Sequence, residues 1–162
     1  YVSLMPLESV VLDDRTLARG SEAQRVEWDA SIRELLSGAT CNIDEAAALS
    51  ILGAEDHFVL GFSTADGAEL GSIQIPHELL AEHITEYLDV VQQITSADSL
   101  NQVEALDMAK KVTHDRVGRV LKKQLRELGF DLETSRRLFT LLLSLRVDTT
   151  RLQGLRAHRR TR

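Results

Sequence analysis

The sequence predicts an α+β fold: a small sheet, built from an N-terminal strand and a hairpin, packed against about four helices, with the C-terminal half mostly helical. Three observations carry this. A β-branched run near the start ends in an acidic pair, an Asp-Gly dipeptide separates two strand-like segments, and from Pro76 onward apolar residues recur at helical spacing. The order strand, helix, hairpin, three helices gives too small a sheet for a doubly wound nucleotide fold.

Taken in order, Ser9-Val10-Val11-Leu12-Asp13 reads as the opening strand. After Gly20, Ser21 and Gln24 form a capping-box signature, and Trp28, Ile32, Leu35 and Leu36 keep helical spacing until Gly38. From Ala39 to Asp56 the signals conflict: Asp44 to Leu52 can form a short helix while Cys41 to Ile43 can be extended, so the region reads mostly as loop. His57 to Ser63 and Glu69 to Ile75 flank Asp66-Gly67, a dipeptide suited to a tight turn. Pro76 closes the second strand and opens a helix from His77 to about Thr95, with Leu80, Ile84, Tyr87, Leu88, Val91 and Ile94 on one face.

Asp98 or Ser99 caps the next helix, whose apolar positions are Ala105, Met108, Ala109, Val112, Val120, Leu121, Leu125 and Leu128, with Gly118 as a break point. Asp131 caps the last, Leu132 to about Arg146, whose apolar residues cover more than half its circumference and leave a slot of Arg136, Arg137, Thr140 and Ser144. The domain boundary is set at 148, with 149–162 as a basic arginine-rich tail. The core is expected to end near Arg146, so that removing Thr150 to Arg162 leaves the fold intact.

Composition excludes whole classes. A chain of 162 residues with 43% hydrophobic and 27% charged residues buries enough surface to fold without metal or disulfide. A single cysteine, Cys41, forms no internal disulfide and no four-cysteine zinc site. No apolar run reaches the roughly 18 residues that span a bilayer. Net charge is −6, yet from Val147 onward five arginines stand against Asp148 alone, so a +4 tail follows a −10 body. The chain opens on Tyr1 rather than methionine, so the numbering starts after an artificial boundary, a trimmed disordered start or a processed targeting segment, and the compartment stays open.

One constellation stands out. Glu104, Asp107, Lys111 and His114 fall within an arc of roughly 80° on one helix, where carboxylates and a histidine can act as an acid/base pair or as ligands. Asp107 and His114 are about 10 Å apart along the axis, too far for one to orient the other. The plain alternative is a solvated face laced by Asp107 and Lys111. Arg136 and Arg137 lie early in the last helix, where the macrodipole disfavours cations, so they call for an anion: a phosphate-like ligand, or Glu104 or Asp107 of the neighbouring helix. His77 and His83 point to different faces, His57 begins a strand, and His158 lies in the tail, so no metal motif and no cofactor is expected. Cys41 lacks a nearby cation to make it nucleophilic. Glycine-rich phosphate loops, nucleophile elbows and HExxH are missing from the sequence.

The stretch Asn101-Gln-Val-Glu-Ala-Leu-Asp107-Met108-Ala-Lys-Lys-Val-Thr-His114, followed by Thr134-Ser-Arg136-Arg137-Leu-Phe139-Thr140-Leu, resembles the C-terminal half of uncharacterised protein family 0262, small alphaproteobacterial proteins of unknown function. The Val11-Leu12-Asp13 strand and the helix around Arg25 to Leu36 are similar too, so the resemblance covers residues 7 to 148. It implies an intracellular protein of bacterial origin and no transferable activity. The chain departs from it at Val112-Thr113, at Asp115-Arg116 and in the extension beyond Asp148.

The expected function is a non-enzymatic interaction protein, a regulatory partner or assembly subunit. Its partner contacts are assigned to Arg136, Arg137 and the tail residues Arg151, Arg156, Arg159, Arg160 and Arg162. The alternative is a small hydrolase-type enzyme using Glu104, Asp107 and His114 with the two arginines as an anion clamp. A protein partner is expected. Nucleic acid would be reached only through the tail, because aromatics make up 4% of the chain and no second basic patch is expected. The expected location is bacterial cytoplasm, with a mitochondrion as the alternative.

Overall fold

A computed structural model describes residues 5–152. The strands are β1 (Met5–Pro6), β2 (Ser9–Leu12), β3 (Thr40–Cys41), β4 (Ala48–Gly53), β5 (His57–Ser63) and β6 (Glu69–Pro76). The helices are α1 (Glu22–Leu36), α2 (His77–Thr95), α3 (Leu100–Gln124) and α4 (Leu132–Arg146), followed by a single 3₁₀ turn at Thr149–Arg151. The α+β class holds.

Strands β2, β4, β5 and β6 form one sheet in that order, and β1 pairs with β3 beside it. The sheet is mixed. β2 runs parallel to β4 with Val10 opposite Leu49 and Leu12 opposite Ile51, whereas β4–β5 and β5–β6 are antiparallel. Alternation then puts Leu49, Ile51, Phe58, Leu60, Phe62 and Ile75 on the buried face. The region read mostly as loop thus holds an interior strand, β4, and the sheet has one strand more than expected. Ala46 to Ala48 suggest a helix locally, but pairing with neighbours on both edges decides the matter, which is tertiary information.

The hairpin turns at Gly67, whose φ of +94° suits a residue without Cβ. The Ser21 capping box is present, its side chain accepting from the Gln24 N–H at 3.1 Å while the Ser21 N–H donates to the Gln24 side chain at 2.9 Å. Helices pack in the order α1, α4, α3, α2, with α1 reaching β2 and α2 reaching β5 and β6. The interior positions of that order belong to α3 and α4. Accordingly α4 buries Leu138, Phe139, Leu141, Leu142, Leu143 and Ser144, and Trp28 of α1 donates its indole N–H to the Ser144 carbonyl at 2.9 Å.

Two expectations about α3 change. Gly118 does not break the helix; it lets α4 approach, since a Cβ there would lie 2.7 Å from Arg136 Cγ and 3.1 Å from Leu132 Cδ1. The apolar positions Met108 and Val112 are 65% and 51% exposed, while Lys110 and Thr113 turn inward. Packing also continues beyond Arg146: Thr149 is buried and Leu152 lies against the core, so the segment 149–162 starts with residues that belong to the domain.

Candidate functional site

α3 and α4, in close contact at Gly118, together line a cleft of about 620 Å³. From α3 it takes Glu104, Asp107, Lys111 and His114, the stripe predicted from periodicity, and from α4 it takes Glu133 and Arg136. Met108 and the inward-facing Lys110 complete it. The stripe and the first arginine of the pair therefore do converge, on helices whose starts are fixed by the Ser99 and Asp131 caps.

His114 is partly buried. Its ring lies 5.5 Å from that of Tyr87 on α2 and 5.7 Å from that of Phe139 on α4, so three helices each contribute one ring to a single cluster. Nε2 stands 2.9 Å from the Arg136 carbonyl oxygen and 3.2 Å from Thr140 Oγ1. A carbonyl only accepts, so Nε2 carries the hydrogen and Nδ1 is the basic nitrogen. Burial pushes the pKa of His114 down to about 4, and the charges of Arg136 and Lys110 push the same way, while the bond to the Arg136 carbonyl opposes them. The ring is neutral at physiological pH.

Arg136 is neutralised within the chain: its Nε lies 3.0 Å from Asp115 and its Nη1 2.8 Å from Glu133. The partners are these two carboxylates rather than Glu104 or Asp107. Arg137 is not in the cleft. It leans to α1, donating to the Glu34 carbonyl at 3.1 Å and Ser37 Oγ at 2.9 Å, and thereby places a cation at the negative end of that helix. The 100° step between adjacent helical residues turns the two guanidinium ends apart, although Arg137 Nε still lies 3.3 Å from the Glu133 carboxylate that Arg136 also pairs with.

Lys110 was invisible as a site residue. It is 5% exposed, with Nζ 6.0 Å from the Tyr87 ring centroid on α2, so that it faces inward. Glu86 of α2 accepts from Thr113 at 3.3 Å and pairs with Arg116 at 2.7 Å, tying the two helices together. Cys41 is buried and its thiol pKa is raised by that burial. Among the described residues no group of three or more His, Cys, Asp or Glu side chains is placed to hold a metal, and no helix is long and apolar enough to cross a membrane.

Of the tail arginines, Arg151 is exposed and sits 3.3 Å from Asp148. Arg156, Arg159, Arg160 and Arg162 lie outside the described residues. A second run of basic residues does exist, although Lys110 among them is buried and Arg116 is paired with Glu86. All four lysines of the chain fall on α3, with Arg116 and Arg119 between them and Arg126 just past its end. Reading the residues from 110 to 126 for charge alone would have found it.

Similar proteins occur in bacteria. A UPF0262 protein of Methylobacterium radiotolerans is 27% identical over 146 residues, covering 86% of this chain and 91% of the relative. Those of Caulobacter vibrioides and Hyphomonas neptunium are each 28% identical, covering 86% and 91% of this chain and 91% and 96% of theirs. No solved structure matches. The model of one family matches residues 5–148, which take in all six strands and all four helices, and the chain therefore belongs to Uncharacterised protein family (UPF0262).

Proposed function

We propose that the chain is a non-enzymatic interaction protein, a regulatory partner or assembly subunit, that holds a protein partner through the α3–α4 cleft and the arginine-rich segment after Leu152. One observation carries this: two of the groups a catalyst would use in the cleft, His114 and Arg136, are already committed. His114 is neutral with a pKa of about 4, far below the near-neutral value that suits a general base, and Arg136 is clamped by Asp115 and Glu133. The exposed Met108 at the cleft's rim is a side chain suited to an adaptable protein contact. Gentle low-salt purification from a bacterial source, followed by native mass measurement, tests the proposal. A partner should accompany the full chain and be lost with Lys111→Glu or with removal of residues 153–162. A clean monomer in low salt refutes it.

A small hydrolase is the second reading, favoured by the convergence of Glu104, Asp107 and His114 with Arg136 on one concave surface. Turnover of chromogenic esters or phosphoesters that disappears in Asp107→Asn would establish it. For location, the bacterial sources of the relatives favour cytoplasm over a mitochondrion, and fractionation of a tagged chain decides between them.

A further inference from the structure

Two neighbouring helices carry opposite charge on their outward faces. α2 has Glu78, Glu82, Glu86 and Asp89 along one stripe and no lysine or arginine. Like charges three and four residues apart weaken an isolated helix, so this stripe costs stability unless cations meet it. On α3 the outward arc opposite its buried face holds Arg119, Lys122 and Lys123, with Arg126 continuing it, and Met108 and Val112 add apolar surface. Of these charges only Glu86 is used across the pair, by Arg116; among the described residues Glu78, Glu82, Arg119 and Lys123 make no ion pair within 4 Å.

The helices are antiparallel, and their relative height follows from three contacts: Glu86 with Arg116, Tyr87 with His114, and the Gln124 side chain with the Gln74 carbonyl. Extrapolated along the pair, Glu82 stands level with Arg119, and Glu78 with Lys122 and Lys123. A two-fold axis lying between the helices and parallel to them changes no heights. It carries α2 of a second copy over α3 of the first, antiparallel, so each carboxylate meets the cation at its own level. The alternative axis, perpendicular to the helices, sets acid on acid. Charge thus selects a single isologous arrangement. The shared face, about 28 Å by 20 Å, buries about 1,100 Å² in total, just above what a specific interface needs.

We infer that the occupant of the α2–α3 face is a second copy of this chain, in a two-fold dimer that pairs Glu82 with Arg119 and Glu78 with Lys122 and Lys123 of the partner. A second copy matches both stripes at once, whereas a polyanion would meet the α2 carboxylates beside the ridge.

Size-exclusion chromatography with light scattering on the full chain is the test. The wild type should run at twice the monomer mass at about 20 mM salt and shift toward monomer at about 0.5 M, where screening shortens to a few ångströms. Arg119→Glu and Glu82→Arg each create a like-charge pair twice in the interface and should weaken dimerisation at least roughly tenfold, and the combined variant should recover wild-type mass. Thermal melts of these surface variants confirm that they are folded. A wild type that stays monomeric at low salt, a dimer indifferent to both single reversals, or a combined variant that fails to recover overturns the inference. So does a monomer that binds single-stranded RNA through Arg119, which would assign the ridge to a polyanion.

Discussion

Replacing His114 by phenylalanine should change how stability depends on pH more than it changes stability itself. The substitution keeps a ring between Tyr87 and Phe139 and removes the proton. In the folded chain the pKa of His114 is about 4, against 6.5 for the free side chain. Between these values the unfolded chain binds a proton that the folded chain refuses, so the wild type loses stability as pH falls through 6.5, and the loss levels off near pH 4. The whole window is worth roughly 3 kcal/mol at about 1.4 kcal/mol per pH unit, and about 2.5 kcal/mol of it has gone by pH 4.5. At pH 7.5 the variant should be about 1 kcal/mol less stable, because one hydrogen bond to the Arg136 carbonyl is lost while Thr140 still donates to it. By pH 4.5 the order should reverse, the variant being about 1.5 kcal/mol the more stable. Urea titrations at the two pH values, followed by the fluorescence of Trp28, measure this directly. Carboxylates such as Asp131, held low by the Thr134 N–H, titrate equally in both proteins and cancel. An unchanged gap between the two proteins at both pH values would show that His114 is not the neutral ring described above.

Two further substitutions probe the α3–α4 contact beside the cleft and the start of α1. Gly118→Ala forces a Cβ against Arg136 Cγ, which the ion pairs to Asp115 and Glu133 hold in place, and should destabilise the chain by about 1 to 3 kcal/mol in denaturant titration; a neutral result would show that α3 and α4 slide apart freely. Ser21→Ala removes the acceptor for the Gln24 N–H and should cost about 1 kcal/mol, restored by Ser21→Asp, which also accepts there.

What could be read from the sequence was what depends on neighbours along the chain. The Ser21 and Gln24 cap, the Asp66-Gly67 turn and the start of α2 after Pro76 are local chemistry, and each was placed correctly. β4 was not, because three consecutive alanines look helical until β2 and β5 pair with it. The inner face of α3 was rotated for a similar reason: Met108 and Val112 are apolar, but the partner surfaces on α2 and α4 are polar enough to take Lys110, Thr113 and His114 instead. The same limit divides the site. Periodicity grouped Glu104, Asp107, Lys111 and His114, and the charge argument found that Arg136 needs an anion. Neither could reveal that Arg137, one residue on, serves α1.

The indole bond from Trp28 to Ser144 joins positions 116 residues apart, and its consequence lies in the order of synthesis. A ribosome adds about 5 to 20 residues per second, so the apolar side of α1 waits about 6 to 23 seconds before the helix that covers it has been made. During that wait Trp28 and Leu35 are open to any apolar surface nearby. The nascent chain is thus open to chaperones, and liable to misassociate, until α4 has been translated.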